Sequence, residues 1–186
     1  MSREAVAEHD RMIGAMIVPG HVVAVDLEAG KVRIESRGWI SPWVRWHSIA
    51  SGQARHWRAP SINEQGTLIC PSGVPSLGTF IPGLFSEAGP APDNRDHVEV
   101  WRFADGGSLV YDWKAKTYDI SLPTGKATIK VGGAVVEVTS GAVSISAGSI
   151  SLTGNVVVNG PLTVTGDVSG LGKIIDAGGN SPNHVH

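Results

Sequence analysis

The residues in this sequence best suited to hold a metal are His184 and His186, two imidazoles separated by Val185 after the run Gly178-Gly179-Asn180-Ser181-Pro182-Asn183. In extended backbone, residues i and i+2 face the same side with Cα atoms roughly 6 to 7 Å apart, so both rings can be turned toward one point. One chain then offers two ligands. Three chains meeting on an axis would offer six ring nitrogens at the corners of an octahedron, which suits iron, nickel or copper; zinc favours four ligands and fits less well. Such an ion has no open position for a substrate, so its work would be structural, tying three chain ends together. The bland alternative for the pair is a disordered tail. Whether the preceding residues call for a threefold axis decides between the two readings.

They do. Between Pro123 and His186 only Lys126, Lys130, Glu137, Asp167, Lys173 and Asp176 are charged, and Gly, Ser, Thr, Val and Ile dominate. Apolar pairs two residues apart recur at Ile129/Val131, Val136/Val138, Val143/Ile145 and Ile150/Leu152, each pair beginning seven residues after the last. A coiled coil is excluded as the cause of this period, because the residues are mostly β-branched and Gly132, Gly133, Gly141, Gly148 and Gly154 would each cost a helix roughly 1 kcal/mol. The unit is a short strand plus a glycine turn. It continues more loosely through Val156/Val158, Leu162/Val164 and Val168.

Alternation sends two aliphatic side chains of each unit inward and leaves Ser, Thr and Lys outside. Two small apolar groups per unit are too few for one chain to enclose a core, and such segments need partners. Three chains wound about a common axis would seal a dry aliphatic interior and cover each other's strand edges. A single-chain β-helix or an extra β-sandwich is the alternative, and it lacks aromatic or Leu-rich filling.

The first two thirds of the chain read differently. All six tryptophans lie before residue 114 and no aromatic follows Tyr118. Ser2 is a possible N-cap for a helix over the first seventeen residues, with Val6, Met12, Ile13 and Met16 near one face. Strands are expected at 21–27, 31–36, 67–70, 79–85 and 97–103, then at 108–113 after the Asp105-Gly106-Gly107 turn, and at 117–122. That density of strands suits a small Greek-key barrel of the OB type. The expected fold class is all-β, an N-terminal OB-fold barrel followed by an intertwined trimeric β-helix with a metal-bound apex. The segments are an N-terminal arm (1–18), the OB domain (19–97), a β neck (98–122), the trimeric β-helix (123–178) and the apex (179–186).

Composition narrows the function. Fifteen basic and seventeen acidic residues give a formal charge of -2, which offers no bulk attraction to nucleic acid or an anionic membrane. The sole cysteine, Cys70, cannot close an intrachain disulfide, so a reducing compartment suffices for folding. The apolar run from Ile13 to Val18 is too short for a signal-peptide core or a membrane span, and assembly in a reducing cytoplasm without Sec export is expected.

Taken together, the Val22-Val23-Ala24-Val25-Asp26 strand, the Asn63-Glu64-Gln65-Gly66-Thr67-Leu68-Ile69-Cys70-Pro71-Ser72-Gly73 segment, the glycine-cornered repeat and the terminal HxH motif resemble the baseplate assembly protein V family. These are the central spikes of contractile-tailed bacteriophages and of R-type pyocins, and the likeness covers nearly the whole chain. It implies a homotrimeric structural spike, fixed by its N-terminal part to tail tube and baseplate hub proteins and driven through the bacterial outer membrane on sheath contraction, without binding it stably. It also implies an iron ion at the apex, one per trimer and octahedral, with His184 and His186 of each chain as ligands. The particle's baseplate would be its final location. No inserted lysozyme domain separates barrel from repeat, so piercing would be mechanical and the protein not an enzyme.

Two rival readings have residues of their own. Arg33, Arg37, Trp39, Trp43, Arg45, Trp46, Arg55, Trp57 and Arg58 interleave cations and rings as single-strand nucleic-acid binders do; the net charge and the needle argue for no nucleic-acid partner. A polysaccharide-degrading β-helical tailspike would need paired carboxylates. Glu137, Asp167 and Asp176 are far apart in the repeat, while Asp93, Asp96, Glu99, Asp105 and Asp112 read as turn and strand-surface residues. No HExxH, GxxxxGK[ST] or nucleophile-base pair is present.

Overall fold

A computed structural model describes residues 2–172 and divides the chain into two compact units, Met1–Pro123 and Thr124–His186. The first opens with helix α1 (Arg3–Met16), where the Ser2 hydroxyl caps the helix by accepting from the Ala5 N–H at 3.2 Å. The helix buries none of its residues and passes directly into strand β1 (Ile17–Asp26). The strand therefore begins earlier than the expected residue 21, because Ile17 and Val18 pair with Ile69 and Leu68.

Strands β1, β2 (Lys31–Ser36), β4 (Val44–Trp46), β5 (Gln65–Ile69) and β6 (Thr79–Leu84) close into a barrel, with the two-residue β3 (Trp39–Ile40) appended to β2. Around the ring β1 pairs with β5, β5 with β6, β6 with β4, β4 with β2, and β2 back to β1. All these pairings are antiparallel except β4 with β6, where Arg45 and Trp46 run parallel to Thr79 and Phe80. Closure removes the exposed edges that an open sheet would present. The alternating residues Val22, Val32, Ile34, Val44, Leu68 and Phe80 fill the interior together with Cys70. Burial pushes the Cys70 thiol above its ordinary pKa, so it is core filling and not a nucleophile.

Neither β3 nor β4 is among the expected strands. Pro42 separates two very short segments, and buried Ser41 turns the chain between them, its hydroxyl accepting from the Ile34 N–H at 3.0 Å and donating to the Pro42 carbonyl at 2.8 Å. A second, three-stranded antiparallel sheet follows in the same unit, made of β7 (Val98–Arg102), β8 (Ser108–Asp112) and β9 (Thr117–Ser121).

In the second unit, β10 (Lys126–Val131), β11 (Ala134–Thr139) and β12 (Val143–Ser146) form an antiparallel meander. The first three repeat units thus do become strands. From 147 to 172 the single chain makes no strand.

Candidate assembly surface

Register in the β10–β12 meander sorts the repeat into two unlike faces. Ala127 stands opposite Val138, Ile129 opposite Val136 and Val131 opposite Ala134; across the next ladder Val136 meets Ile145 and Val138 meets Val143. The seven-residue recurrence of apolar pairs is therefore a cross-strand registration of one aliphatic face. The other face carries Lys126, Thr128, Lys130, Glu137 and Ser144, with the Lys126 ammonium donating to Glu137 Oε2 at 2.7 Å. Both ends of that pair are partly solvated, so it contributes well under 1 kcal/mol.

The aliphatic face has nothing beneath it. Ile129 is 70% exposed and Val143 67%, and an open concavity of about 290 Å³ lined by Ile129, Val136, Ile145 and Ile150 takes the place of a core. Exposure continues through Leu152, Val156, Leu162 and Val168. An apolar stripe of this length on one chain marks a surface that another chain covers. Fully burying one such side chain gains about 1.5 to 3 kcal/mol, so covering the stripe is a large driving force for association.

The candidate metal ligands His184 and His186 lie outside the described residues, as does the whole expected apex 179–186. Among the described residues no group of three or more His, Cys, Asp or Glu side chains is arranged to hold a metal ion.

The interleaved cations and rings of the first unit come together partly with one another. Arg33 lies 5.5 Å over the Trp43 ring, and Trp46 and Trp57 are tilted against each other at 5.4 Å. Arg45 donates to Thr79 Oγ1 at 3.1 Å and Arg58 to Glu64 Oε1 at 3.0 Å, so these guanidiniums brace the barrel and its long loop. Arg37 sits in a tight turn with φ of 52°.

One group of carboxylates departs from the sequence reading. Asp112 is only 8% exposed and not a strand-surface residue. Its Oδ1 accepts from the N–H groups of Lys114 and Ala115, closing the turn after β8, and its Oδ2 accepts from Arg95 Nη1 at 3.2 Å. The same arginine donates to Asp93 at 2.8 Å, while the His97 ring lies 2.8 Å from Asp96 and 3.8 Å from Asp112. The N–H of Ala115 and then that of Lys114, aided by the charges of His97 and Arg95, hold the Asp112 carboxyl below its ordinary pKa against the opposing effect of burial. Arg95 holds Asp93 lower still. The cluster ties residues 93–97 to β8, and the Asp112 carboxylate is occupied by groups of its own chain. Nothing in the local sequence of Asp112 signals this role.

Comparison with known proteins finds two family matches along the chain. Residues 18–85 match the family described as the type VI secretion system/phage-baseplate injector OB domain. Residues 99–170 match the family described as Gp138, beta helical trimerization domain, so that match takes in β7 to β9 as well as the repeat. The spike protein of Escherichia phage P2 is 30% identical over 117 residues, which are 62% of this chain and 55% of that relative. The chain thus spans about half the length of the curated relative it matches.

Proposed function

We propose, from the matches of residues 18–85 to an injector OB domain and of residues 99–170 to a β-helical trimerization domain, that the chain is a non-enzymatic, homotrimeric spike at the tip of a contractile tail, driven through the bacterial outer membrane when the sheath contracts. The observation that carries this reading is the aliphatic face of β10–β12, which lies open along its length in one chain. Three such faces turned to a common axis give a dry interior, and the outward Lys126, Thr128, Glu137 and Ser144 give a wettable shaft.

A trimer resolves the shortage of in-chain pairing from 147 to 172, since neighbouring chains supply strand partners there. Its N-terminal unit docks to tail tube and hub proteins. Assembly takes place in the host cytoplasm, and the finished spike resides at the baseplate of the particle. At the apex, His184 and His186 of three chains hold one iron ion. The donor set fits: imidazole suits iron, and six of them complete an octahedron. The ion would cross-link the three chains at that point.

Native mass spectrometry with elemental analysis tests both parts. The expected result is a trimer with one iron per three chains, with the metal lost and the trimer kept in a His184→Ala/His186→Ala variant. A monomer would overturn the spike reading; a trimer free of metal would overturn the apex alone.

A further inference from the structure

The outward wall of the barrel gathers cations that its own chain does not neutralise. Residues 29–63 hold six Lys and Arg side chains against the single carboxylate of Glu35, although the whole chain carries a formal charge of -2. Register brings three of them together. Lys31 stands directly opposite Arg45 across β2 and β4, and Arg33, the next outward residue of β2, lies 5.5 Å over the Trp43 ring. All three cations are exposed, while Val32 and Val44 point into the core. Like charges facing each other across a ladder, with Cα atoms about 5 Å apart, destabilise the sheet unless something neutralises them. The carboxylates of β1 and β2 are turned to other work. Asp26, opposite Lys31, accepts from the Ala29 N–H at 2.8 Å; Glu35 accepts from the Gly38 N–H at 2.8 Å and faces His21 at 3.2 Å. Among the described residues no ion pair reaches Lys31, Arg33 or Arg45.

We propose that this wall docks an extended acidic segment of another protein of the particle. The proposal rests on the spike reading, in which the N-terminal unit docks to tail tube and hub proteins, and it names the face and the chemistry of that contact. Charge complementarity selects an anionic partner, since a carboxylate laid between Lys31 and Arg45 relieves their repulsion. Spacing selects an extended one. Lys31 and Arg33 are alternate residues of one strand, about 6 to 7 Å apart at Cα, and alternate carboxylates of an extended peptide have the same separation. Arg45 widens the row and is held in place by donating from Nε to Thr79 Oγ1 at 3.1 Å. A single-stranded nucleic acid would match the charge but draws much of its affinity from bases stacked on open rings. Here the ring beside the cations, Trp43, has Arg33 over it, and Trp46 and Trp57 lean on each other at 5.4 Å. An acidic peptide needs no ring, and the stacked guanidinium keeps its edge for a carboxylate.

The test titrates the full-length protein into three fluorescein-labelled probes at low and at moderate salt: a peptide alternating Glu and Thr, the same peptide with Gln for Glu, and oligothymidylate. Fluorescence anisotropy reads binding, and native mass is measured in parallel. The Glu/Thr peptide is expected to bind tightest and to weaken as salt rises. A Lys31→Glu/Arg33→Glu variant should bind it at least about tenfold more weakly while the barrel melts as before. Lys31→Gln, which leaves the Arg33–Trp43 contact alone, should show a smaller loss in the same direction. No binding of the Glu/Thr peptide at low salt, equal binding of the Gln/Thr peptide, or variants that bind as well as the native chain would each overturn the docking wall; with the trimer mass kept, the spike reading stands. Tighter binding of oligothymidylate overturns the acidic segment in favour of nucleic acid. A monomer that binds the Glu/Thr peptide and loses it in the variants supports the wall and overturns the spike reading.

Discussion

A Cβ placed on Gly66 would lie 2.5 Å from the ring of Phe80, the largest side chain of the barrel interior. Strands β5 and β6 come together at this point because one of them has no side chain there, and the ring fills the space. Gly66→Ala is therefore expected to destabilise the first unit by about 1 to 3 kcal/mol through overpacking. Calorimetry would register a lower melting temperature for the barrel; an unchanged transition would contradict the packing described.

The aliphatic face of β10–β12 makes a sharper prediction for assembly. Ile145→Asp would place three carboxylates in one apolar layer of the trimer, and an isolated charge in such surroundings is too costly to tolerate. Light scattering on a sizing column should show the mass fall from trimer to monomer, with near-ultraviolet circular dichroism from the tryptophans retained. The outward Ser144→Asp serves as the control and should leave the trimer intact.

Asp112 predicts a pH dependence. Its carboxyl is held below the ordinary 3.8 in the folded chain, so the unfolded chain binds the proton more readily. The stability this contributes is complete above the unfolded value and is lost as pH falls through the lower folded value. Asp112→Asn keeps an oxygen to accept from Lys114 and Ala115 but loses the charge facing Arg95 and His97. The stability advantage of the native protein over this variant should be level from about pH 7 to about pH 5 and shrink below about pH 4. Unfolding by urea at stepped pH measures it, and an advantage that stays level to about pH 2 would refute the assignment.

Metal removal should act locally. Stripping the proposed apical iron with a strong chelator is expected to leave the trimer assembled, because in the proposed spike burial of the aliphatic face and not the ion holds the shaft. Hydrogen exchange should speed up in the last residues and stay slow in β10 to β12. Dissociation of the whole trimer on chelation would assign the metal a larger role than the proposed one.

How far the sequence reveals this structure depends on how local each signal is. The Asp105-Gly106-Gly107 turn was legible because φ of 89° at Gly106 is a property of a few adjacent residues. The aliphatic face was legible because alternation alone puts Ile129 and Val131 on one side. In contrast, β4 spans three residues and pairs parallel with β6, whose partner residues lie 34 positions away in Arg45 and Thr79. No short pattern encodes such a closure. Asp112 looked like a surface residue for a similar reason, since Arg95 reaches it from 17 positions upstream. Trp101, Leu109 and Ile120 stand in one row of the β7–β9 sheet, which only the register across three strands identifies.

Ile129 and Val143, stranded at the surface of one chain, also bear on how the gene tolerates error. If every shaft needs three sound copies, a cell making intact and damaged chains in equal amounts would yield only about one wholly intact spike in eight, by random association into threes. A damaged face in half of the chains would thus spoil about seven spikes in eight. Changes on this face mild enough for the chain still to enter trimers should act dominantly when altered and intact chains are made together, whereas changes on the outward face at Thr128 or Ser144 should pass unnoticed.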